Sequence, residues 1–297
     1  MINIAVVGCG NWASKIINEI NKNNKFNLTS IVCRKKKENI PKTIIFDSID
    51  KMINSKINDS IYVAAEPKLN LEIVKLIKNY KIPIILEKPI SDSYENIKEL
   101  KNIIEKYNLI ALPNLTNYFS ESFFELKKIT DEKYKKINEI IIYEGSFGPF
   151  RKNIHPIWDW GFHSISLLFL LFEVEKLTNI DMKIIKSNNF YGKGIVSKFS
   201  FKINKKIKVK IITGNLFKKK LRKMKIKFND NTFILNDMVK HELYFNNKFI
   251  FANNITPVSS LLNNFEKIIQ LNRSEISREL IDISCKTTKF LEKFFRC

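Results

Sequence analysis

Gly8-Cys9-Gly10-Asn11-Trp12-Ala13 leaves the chain little freedom in how it begins to fold. It follows the β-branched apolar run Ile2-Asn3-Ile4-Ala5-Val6-Val7 and opens a helical pattern from Trp12 to Asn21, so it reads G-x-G-x-x-A at a strand-to-helix junction. At such a junction the first glycine permits a tight turn and the second lets the backbone approach a pyrophosphate. The small third residue lets helix pack on strand, and the first helical amides face the phosphates. Gly8, Gly10, Asn11, Trp12 and Ala13 are therefore candidate cofactor-binding residues, against the bland alternative of a glycine turn that binds nothing.

The pattern that follows predicts βαβ units on a parallel sheet. Strands are expected at Leu28 to Cys33, Ile61 to Ala65, Pro83 to Leu86 and Leu109 to Leu112. Leu69, Ile73, Leu76 and Ile77 mark an amphipathic helix over Leu69 to Tyr80, and Ser91 or Ser93 is placed to cap a helix over Tyr94 to Tyr107. After Thr116 the texture changes to strand-like runs at Ile137 to Phe147, Met182 to Phe190, Ile195 to Ile203, Lys206 to Ile212 and Arg222 to Phe228. The strict alternation of Lys206-Ile207-Lys208-Val209-Lys210-Ile211 gives one polar and one buried face, as in an open antiparallel sheet. A helix at Trp160 to Phe172 interrupts these strands, and helices at Val258 to Gln270 and Glu275 to Phe295 close the chain. The expected organisation is a Rossmann domain over 1–118 and an α+β domain over 119–297, the closing helices being able to pack back on the first.

A length of 297 residues suits two such cores. The 51 Lys+Arg against 30 Asp+Glu, a formal charge of +21, invite a nucleic-acid or membrane reading. Yet the lysines are dispersed, and the clusters at Lys35 to Lys37 and Lys218 to Lys220 belong to no helix-turn-helix, zinc-finger or RNA-binding pattern. The charge reads as solvated surface, with no specific nucleic-acid partner and no membrane partner. The longest apolar stretch, Ile165 to Phe172, is far short of the roughly 20 residues that span a bilayer. The first residues read as a strand and not as a signal peptide. Cys9, Cys33, Cys285 and Cys297 are too sparse for a disulfide scaffold or a zinc site, so a reducing cytoplasm is expected and no metal.

About 20 residues past the glycines, a Rossmann site that prefers NAD places an acid on the ribose 2′-hydroxyl. Here the second strand ends Cys33-Arg34-Lys35-Lys36-Lys37. Arg34 can grip a 2′-phosphate with two hydrogen bonds and Lys35 adds charge, which favours NADP over NAD; Cys33 lies beside them.

Three further motifs carry a resemblance: Leu86-Glu87-Lys88-Pro89 at a strand end, Ala65-Glu66-Pro67 followed by Asn70, and Asp159-x-Gly161-x-His163. With the glycine turn, in this order, they resemble the Gfo/Idh/MocA family of dinucleotide-dependent oxidoreductases over nearly the whole chain. The resemblance implies that Glu66, Pro67, Asn70, Glu87 and Lys88 line the cofactor site, and that Lys88, Asp159 and His163 are catalytic. The chemistry is sensible in itself. Hydride exchange at a carbinol carbon needs a group to take or give the hydroxyl proton, which suits His163, and Lys88 can stabilise the alkoxide. Asp159 and His163 are four apart, on one helix face.

The chain departs from the family pattern in carrying Ser166 where an Asp is frequent and Asn70 where a His or Tyr is typical. Asn117, Arg151, His155 and Trp158 are candidate substrate-binding residues; Arg151, Lys152 and His155 offer cationic groups for a carboxylate or phosphate. The expected activity is hydride transfer at a secondary hydroxyl or keto carbon of a sugar derivative, nucleotide-linked or acidic, in carbohydrate or surface-polysaccharide metabolism. The alternative is a non-catalytic dinucleotide-binding sensor of the same fold. Family members commonly form dimers or tetramers through the outer face of the second sheet, which implies a homo-oligomer.

Overall fold

The computed structural model describes residues 1–33, 43–151, 154–189 and 192–295, in two units. One holds residues 1–116 with 255–289; the other holds 117–254 with the chain from 290.

The first unit runs β1 (Ile2–Val7), α1 (Asn11–Lys22), β2 (Phe26–Val32), β3 (Ile44–Phe46), α2 (Ile49–Asn54), β4 (Ser60–Val63), α3 (Lys68–Ile77), β5 (Ile84–Leu86), α4 (Tyr94–Tyr107) and β6 (Ala111–Pro113). Its strands pair in parallel in the order β3-β2-β1-β4-β5-β6. The order reverses between β1 and β4, and ligands of such sheets sit outside the carboxyl ends of the strands at that reversal. All four residues of β4 are buried, as a sheet covered on both faces requires. Helix α1 buries Ala13, Ile16, Ile17 and Ile20, an i, i+3, i+4, i+7 stripe. Each buried isoleucine contributes about 1.5–3 kcal/mol of transfer free energy. Helix α4 starts at Ser93, whose hydroxyl accepts from the Asn96 amide, and stops at Asn108, which turns left-handed with φ 50°.

The second unit holds α5 (Glu121–Glu132), β7 (Ile137–Phe147), α6 (Pro156–Leu171), β8 (Leu177–Asn188), β9 (Gly194–Ile203), β10 (Ile207–Gly214), β11 (Leu216–Phe228), β12 (Phe233–Asp237), β13 (Glu242–Phe245) and β14 (Lys248–Ala252). Its eight-stranded sheet runs β14-β13-β12-β11-β7-β10-β9-β8 and is antiparallel except where β10 lies parallel to β7. The fold class is that expected: a parallel Rossmann sheet followed by an open, mostly antiparallel sheet with helices. Helices α7 (Pro257–Gln270) and α8 (Ser274–Glu292) lie largely in the first unit. There Glu266 on α7 pairs with Lys25 at 2.9 Å, and Ser277 on α8 accepts from the Ala111 amide of β6 at 3.0 Å.

Short or turn-rich elements escape the sequence pattern. β3 has three residues, too few for a period, and the β12 to β14 meander turns at Asn246 and Asn247, both with positive φ. β8 begins five residues earlier than expected; Phe190, the expected end, lies outside the described residues. The cysteines need a correction. Cys9 and Cys33 are joined by a disulfide, with Cα atoms 5.7 Å apart. Sparse spacing in sequence does not keep them apart, because the β1 turn and the end of β2 are neighbours in the sheet.

Gly8 is required by the turn. Its φ is +118°, and a Cβ there would stand 2.4 Å from the Ala64 carbonyl oxygen. That close approach is built in, since the Gly8 amide donates to Val32 O and the Ala64 amide to Val7 O. Gly8→Ala should lower the unfolding free energy by about 2–4 kcal/mol, from left-handed strain plus overlap. Urea unfolding followed by circular dichroism reads this, and an unchanged midpoint would show that the turn is not held as described.

Candidate functional site

In the first unit the residues singled out by sequence gather where β1, β4, β5 and β6 end. Helix α1 begins at Gly10 with no side-chain cap, whereas α2, α4, α5 and α7 are capped by Ser48, Ser93, Ser120 and Thr256. A Cβ added at Gly10 would meet nothing within 4 Å. The start of α1 thus presents amides at an open surface, a cradle that fits a pyrophosphate. Asn11 and Trp12 are exposed there and Ala13 is buried against the sheet.

Glu87, directly after β5, organises this edge. Its Oε1 accepts from Trp12 Nε1 at 2.5 Å, from the Tyr62 hydroxyl at 2.6 Å and from Asn114 Nδ2 at 2.5 Å. The side chains come from α1, β4 and the end of β6. Burial pushes the Glu87 carboxyl above its ordinary value, while donation from Tyr62, Trp12 and Asn114 and the charge of Lys88 pull it back. Burial, and then the Glu87 charge, push the Tyr62 hydroxyl well up. Lys88 follows, half-buried, and its bond to Pro89 is cis.

Asn70, expected at the cofactor, is fully buried on α3 and donates from Nδ2 to the Ile90 carbonyl at 2.9 Å. It holds the segment that carries Lys88. Glu66 is exposed and 4.0 Å from Lys68, and Pro67 stands at the N-cap position of α3, which also lacks a side-chain cap. Cys33 closes β2 in the disulfide with Cys9. Arg34, Lys35 and Lys152 lie outside the described residues.

In the second unit α6 carries the other candidates. His155 is its N-cap, Nδ1 accepting from the Ile157 amide at 3.3 Å, and its ring lies 4.5 Å from that of Phe295. Burial, helped by the Lys193 charge, lowers its pKa to about 4. It is neutral near pH 7 and does not serve there as a cationic grip. Trp158 is fully buried and packs as core. Asp159, nearly buried, lies 3.1 Å from Arg151 Nε, and His163 is half-buried one turn on. Ser166 donates to the His163 carbonyl at 3.1 Å, and Asn117 O accepts from the Ser120 hydroxyl at the start of α5.

The helix is pinned by its next residue. Ser164 donates to Glu144 Oε2 at 2.8 Å, and Arg222 Nε donates to Glu144 Oε1 at 2.6 Å, with Glu144 fully buried. Sequence reasoning missed Tyr62, Asn114, Glu144 and Arg222. Asn114 had a usable signal, as a polar residue directly after a strand's carboxyl end; the others sit inside strands, with partners distant in sequence.

A doubly wound sheet with an open glycine turn defines the first unit as a dinucleotide-binding fold. Residues 2–115 match the family model described as oxidoreductase family, NAD-binding Rossmann fold. Over those residues the chain is similar to the NAD-binding domain of the Gfo/Idh/MocA oxidoreductases. Among curated proteins, the chain is 27% identical over 136 residues to the 2,7-anhydro-N-acetylneuraminate hydratase of Escherichia coli, covering 44% of this chain and 36% of that protein. The curated relatives it matches are spanned over only 30 to 41% of their length. Likeness of fold extends further. An oxidoreductase of Thermotoga maritima superposes with TM-score 0.81 at 15% identity over 98% of this chain and 94% of that one. The UDP-N-acetylglucosamine 3-dehydrogenase of Acidithiobacillus ferrooxidans gives 0.77 at 12% identity, over 99% and 98%.

The buried His155 has a consequence for stability. An unfolded imidazole titrates near ~6.5, and here it titrates near 4 in the fold, so between these values the unfolded chain binds the extra proton. This contribution is complete above the unfolded value and is lost as pH falls toward the folded one. His155→Asn keeps a capping acceptor that does not titrate in this range. Urea midpoints measured across that window should fall more steeply on acidification in the parent than in the variant; parallel curves would refute the assignment.

Proposed function

We propose that the protein is an NAD(P)-dependent dehydrogenase or reductase acting at a secondary hydroxyl or keto carbon of a sugar derivative, with NADP the favoured cofactor. The observation that carries this reading is the uncapped start of α1 behind the Gly8 and Gly10 turn, with Lys88 fixed at the end of β5 by the Glu87 bonds. When bound, the nicotinamide would supply the hydride acceptor or donor. The amides from Gly10 onward would hold its pyrophosphate, and the basic run from Arg34 favours a 2′-phosphate by the sign of its charge. Lys88 donates to the reacting oxygen and stabilises alkoxide charge. His163 takes or returns the hydroxyl proton, and Asp159, held by Arg151, orients it or binds a substrate hydroxyl.

The sugar class is supported by a fold neighbour, the UDP-N-acetylglucosamine 3-dehydrogenase of Acidithiobacillus ferrooxidans. A sensor has no need of a proton-transfer pair, so Lys88, Asp159 and His163 favour an enzyme over a regulator. One curated relative is named a hydratase, so net oxidation or reduction of the dinucleotide is the readout that discriminates.

NADPH and NADH titrations followed by nicotinamide fluorescence, repeated with hexoses, uronic acids and nucleotide sugars, test the reading. NADPH should bind and be turned over with one sugar class; binding of neither dinucleotide would overturn it. Lys88→Ala should cut turnover by about 10²–10³-fold with dinucleotide affinity nearly kept, and equal rates would remove the role given to Lys88. Gly10→Ala, with room for its Cβ, should weaken dinucleotide binding while leaving the urea midpoint nearly unchanged. Undiminished affinity would show that the phosphates lie elsewhere. Arg34→Asp should shift preference toward NAD, and a constant NADP-to-NAD affinity ratio would deny the basic run that part.

A further inference from the structure

The disulfide occupies a functional position. Cys9 stands between the two glycines of the turn, and Cys33 is the first residue past β2. In a Rossmann site the glycine turn approaches the pyrophosphate and the residue at the end of β2 reads the adenosine ribose hydroxyls. The bridge joins those two parts of the site. It also ties the turn to β2, where the Gly8 amide already donates to Val32 O at 3.0 Å.

The unit has no need of a staple. One face of its sheet packs in a continuous core that runs from Ala5 and Val63 to Ile104 and Ile281, and disulfides serve chiefly where such a core is lacking. The two residues differ in exposure, Cys9 being half-buried and Cys33 5% exposed. A thiol from solvent reaches Cys9 first.

We propose that Cys9 and Cys33 form a reversible thiol–disulfide switch on the dinucleotide site, the bridged form binding dinucleotide weakly and the dithiol form tightly. This rests on the dinucleotide-binding reading above. In the forward step a thiolate of an external thiol or dithiol attacks Cys9 Sγ, the Sγ–Sγ bond breaks, and Cys33 leaves as thiolate and takes a proton. A second external thiolate then displaces Cys9 from the mixed disulfide. In sum, the bridge and two R–SH give two cysteine thiols and R–S–S–R, two electrons passing from the external thiols to the protein. A disulfide oxidant runs the reverse. Cys285 is buried on α8 with its thiol pushed up by burial to about 11, so it is a poor competitor in exchange.

The test uses the full chain, air-oxidised and after dithiothreitol treatment. Under denaturing conditions the reduced sample should show two more titratable thiols than the oxidised one, and the proteolytic digest of the oxidised sample should contain a linked Cys9–Cys33 peptide. NADPH should bind about tenfold or more tighter after reduction. In Cys9→Ser and in Cys33→Ser the affinity should no longer respond to reductant. No gain in thiols, equal affinity in the two states, or an unaltered response to reductant in Cys9→Ser would each overturn the switch. Tight binding in both states fails the switch alone. Binding of neither dinucleotide in either state fails the dinucleotide reading and removes the switch with it.

Discussion

One buried oxygen, Oε1 of Glu87, holds the dinucleotide edge of the first unit together. A carboxylate taken out of water without partners costs several kcal/mol. Here it meets three donors, each charge-assisted bond worth about 1.5–3 kcal/mol. The three donors sit on different elements, so satisfying one oxygen also aligns the start of α1, the interior of β4 and the end of β6. The bonds are not equivalent in what their loss would do. Removing one donor leaves two, whereas removing the carboxylate leaves the buried Tyr62 hydroxyl without its acceptor, Asn114 Nδ2 still donating to the Tyr62 oxygen at 2.8 Å. Lys88 inherits its place from this arrangement on one side and from the Asn70 bond to Ile90 on the other.

The second unit uses the same device on its sheet. Arg222, Glu144, Thr213 and Ser197 are paired in register across β11, β7, β10 and β9, a polar row through an otherwise apolar face. Glu144 is fully buried, and Arg222 and Ser164 satisfy both its oxygens. Breaking such a pair from one side costs about 3–5 kcal/mol, because the remaining charge is stranded. The contact also sets the rotation of α6. With Ser164 turned to the sheet, His163 lies about 100° around the helix and shares its flank with Asp159 one turn earlier. The orientation of the proposed proton-transfer pair therefore follows from a residue that takes no part in it.

What could be read from sequence was what is local. The glycine turn, the capped helix from Tyr94, the alternating strand at Ile207 and the Asp159 to His163 spacing are patterns within single elements or turns, and each lies close to where it is expected. The carboxylate hubs were illegible, because Glu87 and Tyr62 are 25 residues apart and Arg222 and Glu144 are 78. Nothing in a strand's own pattern distinguishes a tyrosine that packs from one that donates. His155 shows how burial changes what a residue type suggests. Its residue type suggests a cationic grip, but burial against Phe295 makes it a neutral cap. The cysteine pair failed for the same reason as the hubs, since parallel strands adjacent in space bring together residues 24 apart in sequence.

The large positive charge takes on a pattern only in the second sheet. Lysines dispersed in the sequence fall into register on the face opposite the core: Lys227 beside Glu139, Lys208 and Lys202, then Lys225 near Lys210, then Lys223 across Tyr143 and Ile212 from Lys198 and Lys183. Like charges opposed on neighbouring strands are unfavourable, and the face offsets part of this with local partners. Glu139 lies between Lys210 and Lys227 at 2.8 and 2.7 Å, Lys223 meets Asp237 at 2.9 Å, and Lys225 lies 3.6 Å over the Phe233 ring. The two lysines beside Glu139 hold its carboxyl below the ordinary value. Exposed pairs of this kind are worth about 0–1 kcal/mol each, so they do not hold the sheet together. They make a broad open β-face tolerable in water, where an apolar face of the same size would aggregate. Stability comes from the isoleucines and phenylalanines beneath, and the alternation that separates the two roles is the period-two pattern already visible from Lys206 to Ile211.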